Sequence, residues 1–311
     1  MDIIQKILNH KSFKNKPPIL FHLGASGSLH PAFLKLKNYS VIVGVDGDER
    51  DFDKEKTSKN IKISQIISDK KGKQKFYLTK SPHCSSLLKP KFSELNQWTF
   101  KNKFLISKTI KVNTTTINQL LNNLKINYID YYISDSQGVD LRVFRSVKKE
   151  IQKNITAVEF EPGLKDFYEK EDKIYDILKY MNKDYYIEDI RFGTTIKGNV
   201  KNFGFFNKLI TKILYMINKK SKIYTNLVFF RSVKKYNSSN FRNLLFYLTL
   251  LIVNKRFLEV INIIDQVKSR DKILINVKQY CNFKIFIGFF LYTLKSPYLI
   301  FKKIKNYFYN E

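Results

Sequence analysis

Cysteine is almost absent: Cys84 and Cys281 are the only two in 311 residues. That is too few for a disulfide framework and too isolated for a zinc site, and it suits a reducing compartment. An export signal is lacking as well. Ile3, Ile4, Ile7 and Leu8 are interleaved with polar residues, the pattern of a short amphipathic helix and not of an unbroken apolar segment. Long apolar runs are missing. The longest, residues 244–253, covers about half of the roughly 20 residues that a bilayer crossing needs, and residues 285–301 are interrupted by Lys295 and Pro297. No transmembrane helix is expected, and the chain is placed in the cytoplasm, with peripheral contact to the inner face of the membrane as a further expectation. Acidic residues are scarce: 27 Asp and Glu face 56 Lys and Arg, a formal net charge of +29. Such a surface attracts nucleic acid, acidic glycan and anionic lipid without choosing among them. Lys, Ile, Asn, Tyr and Phe are also inflated together, as A/T-rich codon usage would produce.

What is present excludes wholesale disorder, because 43% hydrophobic and 15% aromatic residues supply a sizeable core. The charge divides unevenly. Residues 1–196 carry 34 basic and 23 acidic groups, residues 197–311 carry 22 and 4. We therefore expect a main domain over residues 1–232 and a basic, aromatic-rich helical extension over 233–311. In the main domain short β-branched and aromatic runs alternate with helical patterns, the rhythm of a parallel α/β sheet. Strands are predicted at residues 19–23, 40–45, 61–68, 128–133, 155–160, 185–190 and 225–231, the last two as an antiparallel edge pair. Residues 74–78 read as a hairpin partner of the third strand. Thr116 and Gln119 form a capping box before a helix carrying Ile117, Leu120, Leu121 and Leu124 on one face. A second helix carries Leu141, Phe144, Val147 and Ile151, and a third spans residues 174–181. After residue 238 the pattern is helical, read as a cap or as a basic amphipathic surface for anionic membrane.

Candidate chemistry sits at the strand ends. Gly24-Ala25-Ser26-Gly27 follows the first strand, where a glycine turn lets backbone approach a ligand and offers free amide N–H groups at a helix start. The second strand ends in Asp46, suited to the hydroxyls of an adenosine ribose, although an Asp there also serves as a cap or solvated residue. Together the two predict an adenosine-containing ligand. Ser134-Asp135-Ser136-Gln137-Gly138 follows the fourth predicted strand, across the strand-order reversal from the first, so Asp135 should face the Gly24 turn. The competing reading makes Asp135 a helix N-cap. The G-x-G-x-x-G spacing of nicotinamide enzymes is absent.

Six stretches then occur in a telling order: Phe21-His22-Leu23-Gly24-Ala25-Ser26-Gly27-Ser28, Val43-Gly44-Val45-Asp46, Ser81-Pro82-His83-Cys84-Ser85-Ser86-Leu87, Thr114-Thr115-Thr116-Ile117, Ser134-Asp135-Ser136-Gln137-Gly138-Val139-Asp140-Leu141 and Val158-Glu159-Phe160-Glu161. Over about residues 15–232 the chain resembles the FkbM family of S-adenosylmethionine-dependent methyltransferases. The resemblance implies a Rossmann-like methyltransferase fold, a mostly parallel sheet with an antiparallel edge strand. It implies that Gly24, Ala25, Ser26 and Gly27 embrace the methionine part of S-adenosylmethionine, that Asp46 holds the ribose, and that Ser68 and Asp69 border the adenine. Asp135, Gln137 and Gly138 would border the methyl-transfer pocket. The expected activity is O-methylation of a hydroxyl on a sugar, glycoconjugate or other small molecule. Two positions depart from the family: His22 stands where many members have an acid, and Ile133 where a lysine is usual.

A base helps when the acceptor is an alcohol. Our candidates are Asp135, His83 and Glu161, in that order. Ser85, Ser86 and Gln137 are candidates to bind the acceptor, although serines in such a loop also make local turns. Glu159 and Glu161 lie two apart on one strand and share a face. No cluster has metal-ligand spacing, so no structural metal is expected and a divalent-cation requirement stays open. Two alternatives carry other uses of the charge: an RNA methyltransferase, against which stand the scattered basic residues and the lack of an Asn/Asp-Pro-Pro-aromatic elbow, and a non-catalytic protein binding membrane or glycan surfaces.

Overall fold

The computed structural model describes residues 2–48, 50, 60–198, 207–232, 240–267 and 271–295. They form two compact units. One comprises residues 18–236, and the other joins residues 1–17 to 237–311. The N-terminal segment, grouped by sequence with the α/β domain, thus belongs with the C-terminal helices. The expected boundary at 232/233 adjoins residues 233–239, which lie outside the described residues, as does the end of the aromatic C-terminal stretch.

The α/β unit is built on a seven-stranded sheet. Its strands are β1 (Ile19–Leu23), β2 (Val41–Asp46), β3 (Asn60–Ser64), β6 (Tyr131–Ser134), β7 (Ala157–Phe160), β8 (Tyr185–Thr195) and β9 (Ser221–Arg231). They run in the order β3-β2-β1-β6-β7-β9-β8. β1, β2, β3, β6 and β7 are mutually parallel, and β9 runs antiparallel to both of its neighbours. The antiparallel strand is therefore one place in from the edge, which β8 forms. This is a doubly wound sheet whose order reverses between β1 and β6. Ile19, Phe21 and Leu23 alternate onto one face, where Val43, Val45, Tyr132, Val158 and Phe160 join them in the main core. That face is covered by α3 (Ile117–Asn123), α4 (Asp140–Ser146) and α6 (Ile174–Met181). Thr116 Oγ1 caps α3 by accepting the Gln119 N–H at 3.3 Å, while the Gln119 side chain takes the Thr115 hydroxyl instead of closing the box.

Three expectations change here. Residues 74–78 lie in β4 (Gly72–Thr79), whose antiparallel partner is β5 (Ile106–Thr114), a strand not read from the sequence, and not β3. No α-helix follows β1; a 3-10 turn at Pro31–Phe33 takes its place. The helix expected from Leu141 to Ile151 is broken: Val147 is extended, ending α4, and a short α5 (Lys149–Gln152) follows. Its four apolar side chains are buried nonetheless, so the spacing reported the core face and not the continuity of the helix.

Between β4 and β5 the chain makes a long excursion through residues 80–105. It closes a second, smaller core of Cys84, Leu95, Trp98, Phe104, Phe167, Tyr168 and Ile223. In the other unit α1 (Ile3–Leu8) packs with α8 (Phe241–Val253), α9 (Phe257–Gln266) and α10 (Lys272–Lys295). α8 is apolar on all sides and buried along its length. Its Arg242 donates to the Lys16 and Pro17 carbonyls. Among the described residues no helix is long and apolar enough to cross a membrane.

Candidate active site

The carboxyl ends of β1 and β6 meet at the reversal of strand order. The Asp135 N–H donates to the Leu23 carbonyl at 2.9 Å, extending the β1–β6 ladder past Ser134. Gly24 then turns away in a left-handed conformation, φ 79°, and a β-carbon there would lie 2.0 Å from the Asp135 carbonyl oxygen. The predicted facing of these two segments is present. The free N–H groups expected at a helix start are not: the Gly24 and Ala25 N–H groups both donate to the Val45 carbonyl, at 2.9 and 3.1 Å, and no helix begins there. The glycine is required by its left-handed backbone and by its close approach to Asp135.

A cleft runs along these strand ends from Gly24 and Ser26 past Asp46 to Gly47 and residues 65–67. Asp46 lines it. Burial raises the Asp46 carboxyl to about 6, against which the Asp48 N–H donates to its Oδ1 at 2.7 Å. A β-carbon on Gly47 would meet Ile66 Cγ1 at 2.3 Å, so backbone forms part of the wall. Ile67, Phe76, Leu87 and Val139 complete an apolar slot. Ser68 and Asp69, expected at its adenine end, are not among its lining residues. Ser68 donates to the Asp69 carboxylate, and Gln65 to Ile67 take that place. Ala25 also lies off the cleft, its β-carbon turned toward Gly44. Gly27 has φ 77° and serves the turn.

Asp135 and His83 line this cleft and two further hollows that open from it. One is walled by His22, Ser28, His30, Glu159 and Glu161. Glu159 and Glu161 do share the crevice side. His22 pairs in register with Ile133 and Ile133 with Glu159, so the three form one row across the sheet. Glu159 is held by Arg191 at 2.6 Å, by the Tyr131 hydroxyl at 3.2 Å and by Asn226 at 3.4 Å. Burial, followed by neighbouring His30, lowers His22 to about 3, leaving it neutral.

The other hollow has a volume of about 440 Å³, within the range of ordinary small-molecule pockets. Its rings include Phe104, Phe167, Tyr168, Tyr215 and Tyr224; among the described residues its carboxyls are Asp135, Glu161 and Glu171, and Lys103 is the one lysine in its wall. Burial raises all three carboxyls. Asp135 is pushed well above the usual carboxylate range by burial, then by Glu161 and Asp140. Glu161 rises to about 7, chiefly by burial against a hydrogen bond from Asn226. Glu171 also rises to about 7 by burial, opposed by the Tyr168 N–H.

The elbow is held from several sides. Asp140 Oδ1 accepts the Ser136 N–H and the hydroxyls of Ser134 and Ser136, so the side chain that fixes the turn is Asp140, while Asp135 is not the N-cap of α4. Gln137, at φ 55°, spends its amide on the site itself: Nε2 donates to Asp135 Oδ1 at 2.5 Å and Oε1 accepts the Tyr168 hydroxyl at 2.8 Å. It orients Asp135. The Ser86 hydroxyl donates to the Gln137 carbonyl and is 1% exposed, so it braces the elbow and does not reach an acceptor. Ser85 lines the cleft that holds Asp46, but its hydroxyl donates to Asp48 and accepts the Thr79 N–H. His83 Nδ1 lies 2.8 Å from the Ser26 hydroxyl, tying the Pro82–Cys84 turn to the glycine turn.

Tyr168, Glu171, Tyr215, Tyr224, Phe76 and Gly47 were not read from the sequence. Only Gly47, directly after Asp46, carried a local signal. Among the described residues no group of three or more His, Cys, Asp or Glu side chains could hold a metal ion.

A family model, the methyltransferase FkbM domain, matches residues 30–187, about half of the chain. No curated protein and no solved structure gives a match.

Proposed function

The chain belongs to the FkbM methyltransferase family, and from that premise we propose that it transfers a methyl group from S-adenosylmethionine to a hydroxyl of a sugar, glycoconjugate or related polyol. The observation that carries the reading is the meeting of a cofactor-shaped cleft and a ring-lined, carboxylate-bearing pocket at Asp135. The residues present fit the cofactor: a backbone wall at Gly24 and Gly47, a carboxylate at Asp46 for the ribose and an apolar slot at Ile67, Phe76 and Val139 for the base. When bound, that cofactor supplies an electrophilic methyl on a sulfonium. Glu159, in the same strand row as His22, places a carboxylate in the hollow that adjoins Gly24 and Ser26, on a row where position 22 has none.

The protein's share of the chemistry is alignment and a proton. Burial and the neighbouring Glu161 and Asp140 favour the protonated form of Asp135, which suits it to hold a hydrogen bond more than to take a proton. Glu161, near neutrality, is the better base and accepts the acceptor's hydroxyl proton at its carboxylate. This reorders the candidates read from sequence. The rings suit the apolar faces of a sugar and the carboxyls its hydroxyls. Glu161 and Glu171, which ionise near neutrality, set against Lys103 oppose a polyanionic acceptor such as RNA.

Calorimetry with S-adenosylhomocysteine tests the cofactor half: binding by the native chain, lost in Asp46→Ala, supports it, and absence of binding by the native chain overturns it. Tritiated methyl transfer to neutral oligosaccharides, unaffected by competing RNA, tests the acceptor half.

A further inference from the structure

Between β8 and β9 lies α7 (Asn207–Ile217). Leu209, Ile213, Met216 and Ile217 on it are 56, 45, 77 and 72% exposed. The spacing i, i+4, i+7, i+8 puts them on one stripe. Another side of the helix serves the pocket: the Tyr215 hydroxyl lies 2.7 Å from that of Thr195, and both residues line the hollow assigned to the acceptor. α7 therefore stands at the rim of that hollow with four bulky apolar side chains turned to solvent.

The chain leaving α7 carries Lys219, Lys220 and Lys222. They line one depression with Lys165 and Lys197, beside a single acid, Glu94, among the described residues. Main-chain bonds bring these lysines together from distant segments. Gly198 N donates to the Gln97 carbonyl at 2.8 Å, seating Lys197 against Trp98, and Leu164 N donates to the Ile223 carbonyl at 2.8 Å, seating Lys165 beside Lys222. All five lysines are exposed. An apolar stripe alone fits many occupants, but one whose helix runs directly into Lys219 and Lys220, part of a five-lysine depression, selects an anionic partner with an apolar layer behind its charge. A bilayer of anionic lipid has both.

We infer that α7 and this lysine cluster form a docking surface for an anionic lipid bilayer, the stripe entering the interfacial layer and the lysines meeting headgroup phosphates. The contact expected from the C-terminal helices is thereby assigned to the catalytic unit. With α7 at its rim, the acceptor pocket would open at the bilayer surface, so its substrate would be a membrane-borne glycan. That consequence rests on the proposed function, whereas the docking does not.

The test is flotation of the full-length chain with vesicles of phosphatidylcholine alone or containing anionic phosphatidylglycerol, with S-adenosylhomocysteine binding measured in parallel as a check on folding and on the methyltransferase reading. The expected result is flotation with anionic vesicles only, weakened by salt, and reduced by roughly tenfold or more in Ile213→Glu/Met216→Glu and in Lys219→Glu/Lys220→Glu, with cofactor-analogue binding unchanged. Substitution of the exposed α10 residues Phe286 and Phe289 by Glu should leave flotation largely intact. The proposal is overturned if the native chain does not float, if the α7 variants float as well as the native chain, if only the α10 variant loses flotation, or if ultracentrifugation shows the α7 stripe buried in a dimer that the same substitutions dissociate.

Discussion

Gly24 lies so close to Asp135 that a β-carbon on the glycine would sit 2.0 Å from the aspartate's carbonyl oxygen. The contact joins the end of β1 to the end of β6, and main chain on the Asp135 side cannot yield as a flexible side chain would. Gly24→Ala adds this clash to a left-handed backbone, φ 79°. We expect a loss of roughly 2–4 kcal/mol in stability and loss of S-adenosylhomocysteine binding, measured by denaturant unfolding and calorimetry. Stability within about 0.5 kcal/mol of the native chain would refute the close approach.

The Asp46 carboxyl, raised to about 6 by burial, should be the ribose ligand in its ionised form. Affinity for S-adenosylhomocysteine should therefore fall as the pH drops from 7 to 5. Asp46→Asn should remove this dependence and weaken binding by roughly tenfold or more at pH 7.5. Calorimetry across that range decides it.

Methyl transfer should rise with pH and level off above about 7, following Glu161. Glu161→Gln should lower kcat by about 10²- to 10⁴-fold and abolish that inflection, with cofactor affinity changed little. An unchanged pH profile in the variant would assign the base elsewhere.

Tyr168 acts on Asp135 through Gln137. Tyr168→Phe removes the hydroxyl whose one proton is shared between Gln137 Oε1 and the Cys84 carbonyl. The expected result is a moderate fall in kcat, about tenfold, with the affinity for S-adenosylhomocysteine unchanged. A loss confined to cofactor affinity would contradict this positioning role.

Glu171 is buried, with its carboxyl raised from 4.5 to about 7. The folded state then holds a proton that the unfolded chain releases, so this group's contribution to stability falls as pH rises from about 4.5 to 7 and is level above that. Glu171→Gln should gain roughly 1–3 kcal/mol on the native chain between pH 5 and pH 8. Urea unfolding at the two pH values measures it, and an equal difference at both would show that the carboxyl is not buried as described.

Much of the parallel sheet was legible because its strands are short, locally apolar and bounded by turn residues. β1 was read to the residue, and Asp46 and Asp135 were placed at strand ends across the reversal. The antiparallel β8–β9 pair was legible for the same reason. β5 was missed: in Ile106–Thr114 only Ile106, Ile110 and Val112 are apolar, separated by lysines and other polar residues, and all three stay half-exposed, so the apolar signal is weak. The missing helix after β1 was a failure of analogy, since His30-Pro31 opens a 3-10 turn where the glycine turn suggested a helix start. Ser86 and Ala25 were named for their position in a motif, and which way a side chain points in a loop depends on partners that the motif does not contain.

The sequence by itself determined the alternation of strands and helices, the strand-end positions of Gly24, Asp46 and Asp135, and the excess of positive charge, because each is a property of neighbouring residues. Only the tertiary structure decided the ring-lined pocket. Cys84, Tyr168, Glu171, Tyr215 and Tyr224 come from segments up to about 140 residues apart, and they converge because the 80–105 excursion and the β8–β9 pair pack over the elbow. Burial there, and not residue type, sets the proton affinities of Asp135, Glu161 and Glu171, since removing a carboxylate from water favours its protonated form.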